Sequence, residues 1–306
     1  MKHISVLLDE CINGLDIKEN GIYVDMTLGY AGHSSEILKR IKNGFLYAFD
    51  KDIDACNYSN ERLKMISNNF KIFNTANLNI KTCLENENVT KVDGILFDLG
   101  VSSVELDEAS RGFSYMKDAK LDMRMDTDSD FSAYNVVNEY SYDDLVRILR
   151  DYGEEKYACS IAKNIVKERE KGSIDTTLEL VDIIKKSMPY KAMREGHPAR
   201  RSFQAIRIEV NHELDVLKIA LESAIKMLNV GGRISVITFH SLEDRIVKDM
   251  FNKYSKVDSN LSKLPFVPSE FEPKYKTVLN ITPSKEEINE NSRARSSRLR
   301  VIERIK

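Results

Sequence analysis

Within the first hundred residues the hydrophobic period switches repeatedly between about 2 and about 3.6, and that alternation leaves few folds open. Ile22–Met26 (IYVDM) and Phe45–Phe49 (FLYAF) are short apolar runs of the kind buried inside a sheet. Ser34–Ile41, with Ile37, Leu38 and Ile41 apolar, and the stretch Ile53–Ile66 instead repeat at helical spacing. Phe70–Phe73 is a weaker third strand, and Val92–Phe97 (VDGILF) is a fourth that ends at Asp98. Strands alternating with helices of this length predict βαβ units, hence a parallel sheet covered on both faces. The signal returns later in the chain. Leu214–Leu228 is amphipathic, and Gly231-Gly232 is expected to cap it. Arg233–Phe239 (RISVITF) reads as a fifth strand and Leu242–Tyr254 as a helix, with Thr277–Ile281 and Leu299–Ile305 closing the sheet as a hairpin.

Between these two regions the composition changes. From Asp98 to Glu155 there are 15 acidic residues against 6 basic ones. Tyr142–Leu149, Tyr157–Glu168 and Thr177–Met188 then read as three helices with no strand between them, until Pro189 and Gly196-His197-Pro198 end the run. The expected organisation is one α/β domain in two parts, 1–104 and 206–306, interrupted by a helical insert over 105–205 that would recognise the substrate. With 42% hydrophobic residues in 306, the chain can bury such a core, which excludes disorder as its main state. Its 46 basic and 48 acidic residues exclude a uniformly basic nucleic-acid-coating protein, but not a local basic face. Ile4–Leu8 is too short for a signal-peptide core, and no apolar run is long enough to span a membrane. Cys11, Cys56, Cys83 and Cys159 form no Cys-x-x-Cys pair, so a reduced, cytoplasmic setting without bound metal is expected.

Chemistry concentrates where strands end. Asp25-Met26-Thr27-Leu28-Gly29-Tyr30-Ala31-Gly32-His33 carries a strand through a glycine-bearing turn into a helix, where free N–H groups face any bound anion. Asp50 follows Gly29 by 21 residues, at the end of the next strand, where α/β nucleotide sites put a carboxylate on a ribose diol. An ordinary tight turn is the plainer reading of Gly-x-x-Gly. The absence of Gly-x-Gly-x-x-Gly argues against a nicotinamide dinucleotide, whereas S-adenosylmethionine has no pyrophosphate to cradle. Asp98-Leu99-Gly100 ends the fourth strand, either as a plain polar terminus or as a place where a planar base approaches the backbone. Phe239-His240-Ser241-Leu242-Glu243-Asp244 ends the fifth. There, Ser241 and Asp244 fit a helix-capping box and His240 fits a satisfied structural histidine, so a catalytic part for His240 or Ser241 competes with a local one. Two basic runs stand out: Lys185–Arg207 with seven cations against Glu195, and the tail from Arg293. Each is either a solvated face or a set of phosphate contacts.

Taken together, these segments resemble the bacterial small-subunit ribosomal RNA (cytosine-N(4))-methyltransferase H family (RsmH, also called MraW). The resemblance runs from His3 to Arg300. It rests on His3–Leu8, Asp25–Ser34, Asp98–Ser103, Arg111–Ser114, Leu121–Asp126, Arg200–Asn211, Phe239–Lys248 and Ser292–Arg300. It implies a Rossmann-like S-adenosylmethionine-dependent methyltransferase sheet with an inserted all-helical subdomain. It also implies methylation of the exocyclic amine of one cytidine in the decoding region of 16S ribosomal RNA, on the small ribosomal subunit, by an enzyme that is not membrane-bound and is possible as a homodimer. Carried over by position, Ala31, Gly32 and His33 would meet the methionine end of the cofactor and Asp50 the ribose. Leu78, where an aromatic is usual, would pack on the adenine, and Asp98 would lie by the adenosine and the reacting centre. Glu105 stands where Gln is usual, and Ala31 replaces a glycine; Ala still permits the close approach if its φ is negative, and the assignment is kept. The resemblance leaves a non-catalytic RNA-binding factor with a degenerate cofactor site as the reading from another class. For the reaction itself, Asp98 is the first candidate to accept an N–H of the amine, with His240 or Ser241 next.

Overall fold

The computed structural model describes residues 5–75, 79–100, 108–257, 261, 266 and 268–306. The chain divides into two compact units, Met1–Gly100 with Leu214–Lys306, and Val101–Glu213.

The first unit is built on α1 (Leu8–Leu15), β1 (Ile22–Asp25), α2 (Gly32–Arg40), β2 (Phe45–Asp50), α3 (Ile53–Lys64), β3 (Phe70–Asn74), α4 (Ile80–Asn86) and β4 (Val92–Asp98). Its seven strands lie in the order β3-β2-β1-β4-β5-β7-β6, with β5 at Leu228–Thr238, β6 at Tyr275–Ile281 and β7 at Arg298–Arg304. β1 to β5 are parallel, and β7 runs antiparallel to both β5 and β6. This is a doubly wound, Rossmann-like α/β sheet in which a reversed strand inserts between the fifth strand and the edge.

Period-2 alternation divides the strand side chains between two faces. Tyr23, Leu46, Ala48 and Leu96 pack with Ile12 and Leu15 of α1 and Ile37 and Leu38 of α2. Val24, Phe49, Ile95 and Phe97 pack on the other side with Leu217, Leu221 and Ile225 of the helix Glu213–Met227 and with Val247 and Phe251 of the helix Ser241–Ser255. Burial on both faces is why these strands read as continuous apolar runs.

The expected glycine cap at Gly231-Gly232 is corrected. The helix ends at Met227 and the strand starts at once, with Leu228 paired to Val92. The next matched pair is Gly94 with Arg233, so 229–232 bulge out of the ladder around Gly231 at φ +80°.

The second unit holds α5 (Ala133–Glu139), α6 (Tyr142–Asp151), α7 (Ala158–Arg169), α8 (Thr177–Lys186) and α9 (Arg200–Asn211); α10 (Glu213–Met227) follows, then α11 (Ser241–Ser255) and α12 (Lys285–Glu290). Its core gathers Leu145, Ile148, Ile161, Ile165, Leu180, Ile184, Phe203 and Ile206. Two of its helices, α5 and α9, go beyond the three expected. α9 occupies what reads in sequence as a connection, and the boundary expected at Ala205 falls inside it. The four cysteines are free, and no helix among the described residues is long and apolar enough to cross a membrane.

Candidate active site

The C-terminal ends of β1, β2, β4 and β5 bring Asp25, Asp50, Asp98 and His240 to one edge of the sheet. Ligands of open α/β sheets bind at this edge.

Asp25 is 1% exposed and anchors the first turn, accepting from the Thr27 N–H at 3.0 Å and from Ser34 Oγ of α2 at 2.7 Å. The turn is held from outside as well. Asp50 accepts the Gly29 N–H at 2.7 Å and the Asp52 N–H at 2.9 Å, Ser59 Oγ donates to the Gly29 carbonyl at 2.7 Å, and Arg62 donates to that of Tyr30 at 2.7 Å. Ala31 is the N-cap of α2, with no side chain capping the helix start. Its φ is +57°, not the negative value expected for Ala, so Ala31 adopts the left-handed conformation of the glycine it replaces. An L-residue in the left-handed region costs roughly 1–2 kcal/mol, and the fold bears that strain to keep the turn. Thr27, Ser34, Ser59 and Arg62 went unassigned in the sequence, because their tasks depend on partners up to 71 residues distant.

Asp98 ends β4. Its N–H donates to Thr27 Oγ1 at 2.6 Å, and its carboxylate divides into two different environments. Oδ2 lies 3.4 Å from His33 Nδ1, while Oδ1 is buried with no hydrogen-bond partner among the described residues. A buried oxygen left in this state is costly unless something else supplies a donor. Burial pushes the Asp98 carboxyl up to about 8, helped by Asp25 and Glu243, and pushes Asp25 up to about 6, partly opposed by its bonds from Ser34 and Thr27. Asp50 is likewise raised by burial against its backbone donors. The charged neighbours acting on these three are other carboxylates. Such a pocket favours a cationic ligand. A sulfonium cofactor is compatible with these residues: the acids would favour its positive charge, the α2 start without a side-chain cap could take a carboxylate, and Asp50 ends the neighbouring strand at the same edge.

His240 is placed differently from the expected capping box. It is itself the N-cap of α11, its Nδ1 accepting the Glu243 N–H at 3.4 Å, while Glu243 accepts from the Phe239 and His240 N–H groups. Its Nε2 sits 3.1 Å from Glu243 Oε1. Ser241 is the first, exposed residue of the helix, and Asp244 turns away to form a bidentate pair with Arg300 at 2.7 and 2.9 Å. Leu78 and Glu105 lie outside the described residues.

Much of the basic tail is used internally: beside Arg300, Arg298 donates to Asn280 and Arg304 to the Leu228 carbonyl. These three arginines thus have structural partners, while Arg293 and Arg295 of the same run are exposed. In the second unit, Arg207 is paired bidentately with Glu213 and Arg201 donates to the Glu154 carbonyl. Arg194 lies over the exposed Tyr190 ring, and His197 stacks on Tyr115 with ring centroids 4.4 Å apart.

Comparison with known proteins finds a match between residues 1–305 and the family model described as the MraW methylase family. The chain is 53% identical over 307 residues to ribosomal RNA small subunit methyltransferase H of Clostridium botulinum (strain Loch Maree / Type A3), covering 99% of each. It is also 53% identical to the protein of that name from Exiguobacterium sibiricum, covering 100% of this chain and 99% of that one. Among solved structures, an rRNA methylase from Streptococcus thermophilus aligns over 99% of both chains at 11% identity and a TM-score of 0.47.

Proposed function

The chain belongs to the MraW methylase family, and from that premise we propose that it methylates the exocyclic N4 amine of a cytidine in the decoding region of 16S ribosomal RNA within the small subunit. It is a methyltransferase, and S-adenosylmethionine is its methyl donor. When bound, that cofactor supplies an electrophilic methyl group on a positively charged sulfur. Asp50 would hold the ribose diol, and Ala31, Gly32 and His33 would line the methionine end; the two remaining positions carried over from the family, Leu78 and Glu105, lie outside the described residues. The relatives named above are ribosomal RNA methyltransferases by name, and this chain's run Lys185–Arg207 offers exposed cations such as Arg200 for RNA phosphates.

One observation carries the reading of the acceptor: the buried Asp98 Oδ1, which has no hydrogen-bond partner among the described residues. An exocyclic amine brings the N–H this oxygen needs, and a hydrogen bond there orients the amine's lone pair. Cytosine's amine is a weak nucleophile because that lone pair conjugates with the ring. Orientation at near-attack distance therefore supplies much of the acceleration, and the target base must be unstacked first. His240, capped against Glu243, holds the turn after β5, and Ser241 is the next polar group at that edge.

The test is transfer of a labelled methyl group from S-adenosylmethionine to small ribosomal subunits, followed by digestion to nucleosides and mass spectrometry. N4-methylcytidine is the expected product. Label on another base, on a ribose, or on no RNA at all overturns the reading.

A further inference from the structure

We propose that His33 and Asp98 form a proton relay, in which Asp98 Oδ1 takes the proton shed by the substrate amine and Asp98 Oδ2 hands its own proton to His33 Nδ1. The proposal rests on the amine reading above. It assigns His33 a task that contact with a cofactor does not require.

The geometry fixes which ring nitrogen is the acceptor. His33 Nε2 lies 3.2 Å from the Val6 carbonyl, and a carbonyl can only accept, so Nε2 carries the hydrogen in the neutral ring. Nδ1 then presents its lone pair to Asp98 Oδ2 at 3.4 Å. Two acceptors meeting at that distance need one proton between them. The other oxygen, Oδ1, is buried and open to a donor. The carboxyl thus has one end toward the imidazole and one end free, as a relay requires. Hydrogen bonds of this kind are often long before the substrate is loaded.

The balance of the step is simple. The amine nitrogen forms its bond to the methyl carbon while the S–CH₃ bond breaks and leaves its electron pair on sulfur. The amine, now cationic, loses one proton to Oδ1, and the proton on Oδ2 moves to Nδ1. The site then holds a neutral carboxyl and an imidazolium. The charged groups around the pair are acids from several elements: Asp98 meets the imidazolium directly, Asp25 on β1 and Glu243 on α11 act on Asp98, Asp50 on β2 acts on Asp25, and the Cys11 thiol of α1 is near Asp98 and Asp25. One positive charge leaves sulfur and one appears on His33, so the acids keep a counter-charge throughout. Because His33 acts through Asp98, it is a positioning residue, not a catalytic one.

Two measurements test this. In the cofactor-free protein, ¹⁵N-histidine NMR reads the His33 tautomer: Nε2–H with Nδ1 hydrogen-bonded to Asp98 is expected, and an Nδ1 signal identical in wild type and Asp98→Asn refutes the pair. For the reaction, single-turnover methyl transfer at saturating cofactor and RNA is measured in His33→Ala and His33→Gln, with cofactor dissociation constants from calorimetry. Loss of a proton-transfer partner predicts a rate about 10²- to 10⁴-fold lower. Added imidazole is expected to restore part of the His33→Ala rate, tracking its unprotonated fraction as pH is varied. A rate loss explained wholly by weaker cofactor binding, or one that imidazole does not restore in either variant, overturns the relay. The wild-type product is identified in the same digests. A methyl group on another atom therefore refutes the cytidine reading separately, while the NMR arm still decides the pair.

Discussion

Replacing Asp98 with Asn should change how stability depends on pH before any substrate is present. An acid whose folded pKa lies above its unfolded value keeps a proton that the unfolded chain has already shed. Folding stability therefore falls as pH rises between the two values, and the loss is complete above the folded one. For Asp98 the window runs from 3.8 to about 8. Each pH unit well inside such a window removes about 1.4 kcal/mol, and near the folded pKa the slope fades. Between pH 6 and pH 8 the wild type should therefore lose roughly 2 kcal/mol more than Asp98→Asn, whose side chain cannot ionise. Asp25, raised only to about 6, finishes most of its titration by pH 7. The assay is urea denaturation of the cofactor-free protein followed by circular dichroism at pH 6, 7 and 8. Because the two chains differ at one residue, titrating groups remote from Asp98 cancel in the difference, and what remains belongs to Asp98 and the groups coupled to it. Parallel stability-against-pH curves would mean that Asp98 is ionised throughout this range, and would refute both its burial cost and the shared proton with His33.

Asp50→Ala removes a charge-assisted ribose contact worth roughly 1.5–3 kcal/mol, so S-adenosylmethionine should bind about 10- to 150-fold more weakly by calorimetry; an unchanged constant rejects the ribose role. Ala31→Gly relieves a left-handed φ of +57° and should stabilise the protein by about 1 kcal/mol in the same urea assay. Asp244→Ala strands the guanidinium of Arg300, which is 9% exposed, and should cost about 3 kcal/mol; a neutral result means the pair is solvated. Neutralising Arg200 and Arg201 together should make the slope of log RNA affinity against log salt shallower by about 1.4, at roughly 0.7 per phosphate on single strands. Cofactor affinity should stay unchanged, while a lower melting temperature with an unaltered salt slope would mark Arg201's bond to the Glu154 carbonyl as its main work.

What could be read from sequence divides along physical lines. β1, β2, β4 and β5 were legible because a parallel strand buried on both faces must be apolar at successive positions, and the acids Asp25, Asp50 and Asp98 followed from where those runs stop. Helix α9 was not legible as a helix. Its buried Phe203, Ile206 and Val210 keep helical spacing, but Arg200, Arg201 and Arg207 dominate the local composition. The glycines before Arg233 looked like a helix cap because a cap and a bulge both need a positive φ. Only the pairing of Leu228 with Val92 tells them apart. At the start of α11 the preference of helices for a serine cap pointed to Ser241, yet the helix begins one residue earlier, because Glu243 reaches back to two N–H groups and His240 completes the box. The pair with most chemical consequence, His33 with Asp98, is separated by 65 positions and made by adjacent parallel strands. Neither residue alone signals it: the histidine follows a turn, the aspartate ends a strand, and each has an ordinary local explanation. What makes them a pair is that β1 and β4 are neighbours, and that the Val6 carbonyl leaves the imidazole one nitrogen with which to accept.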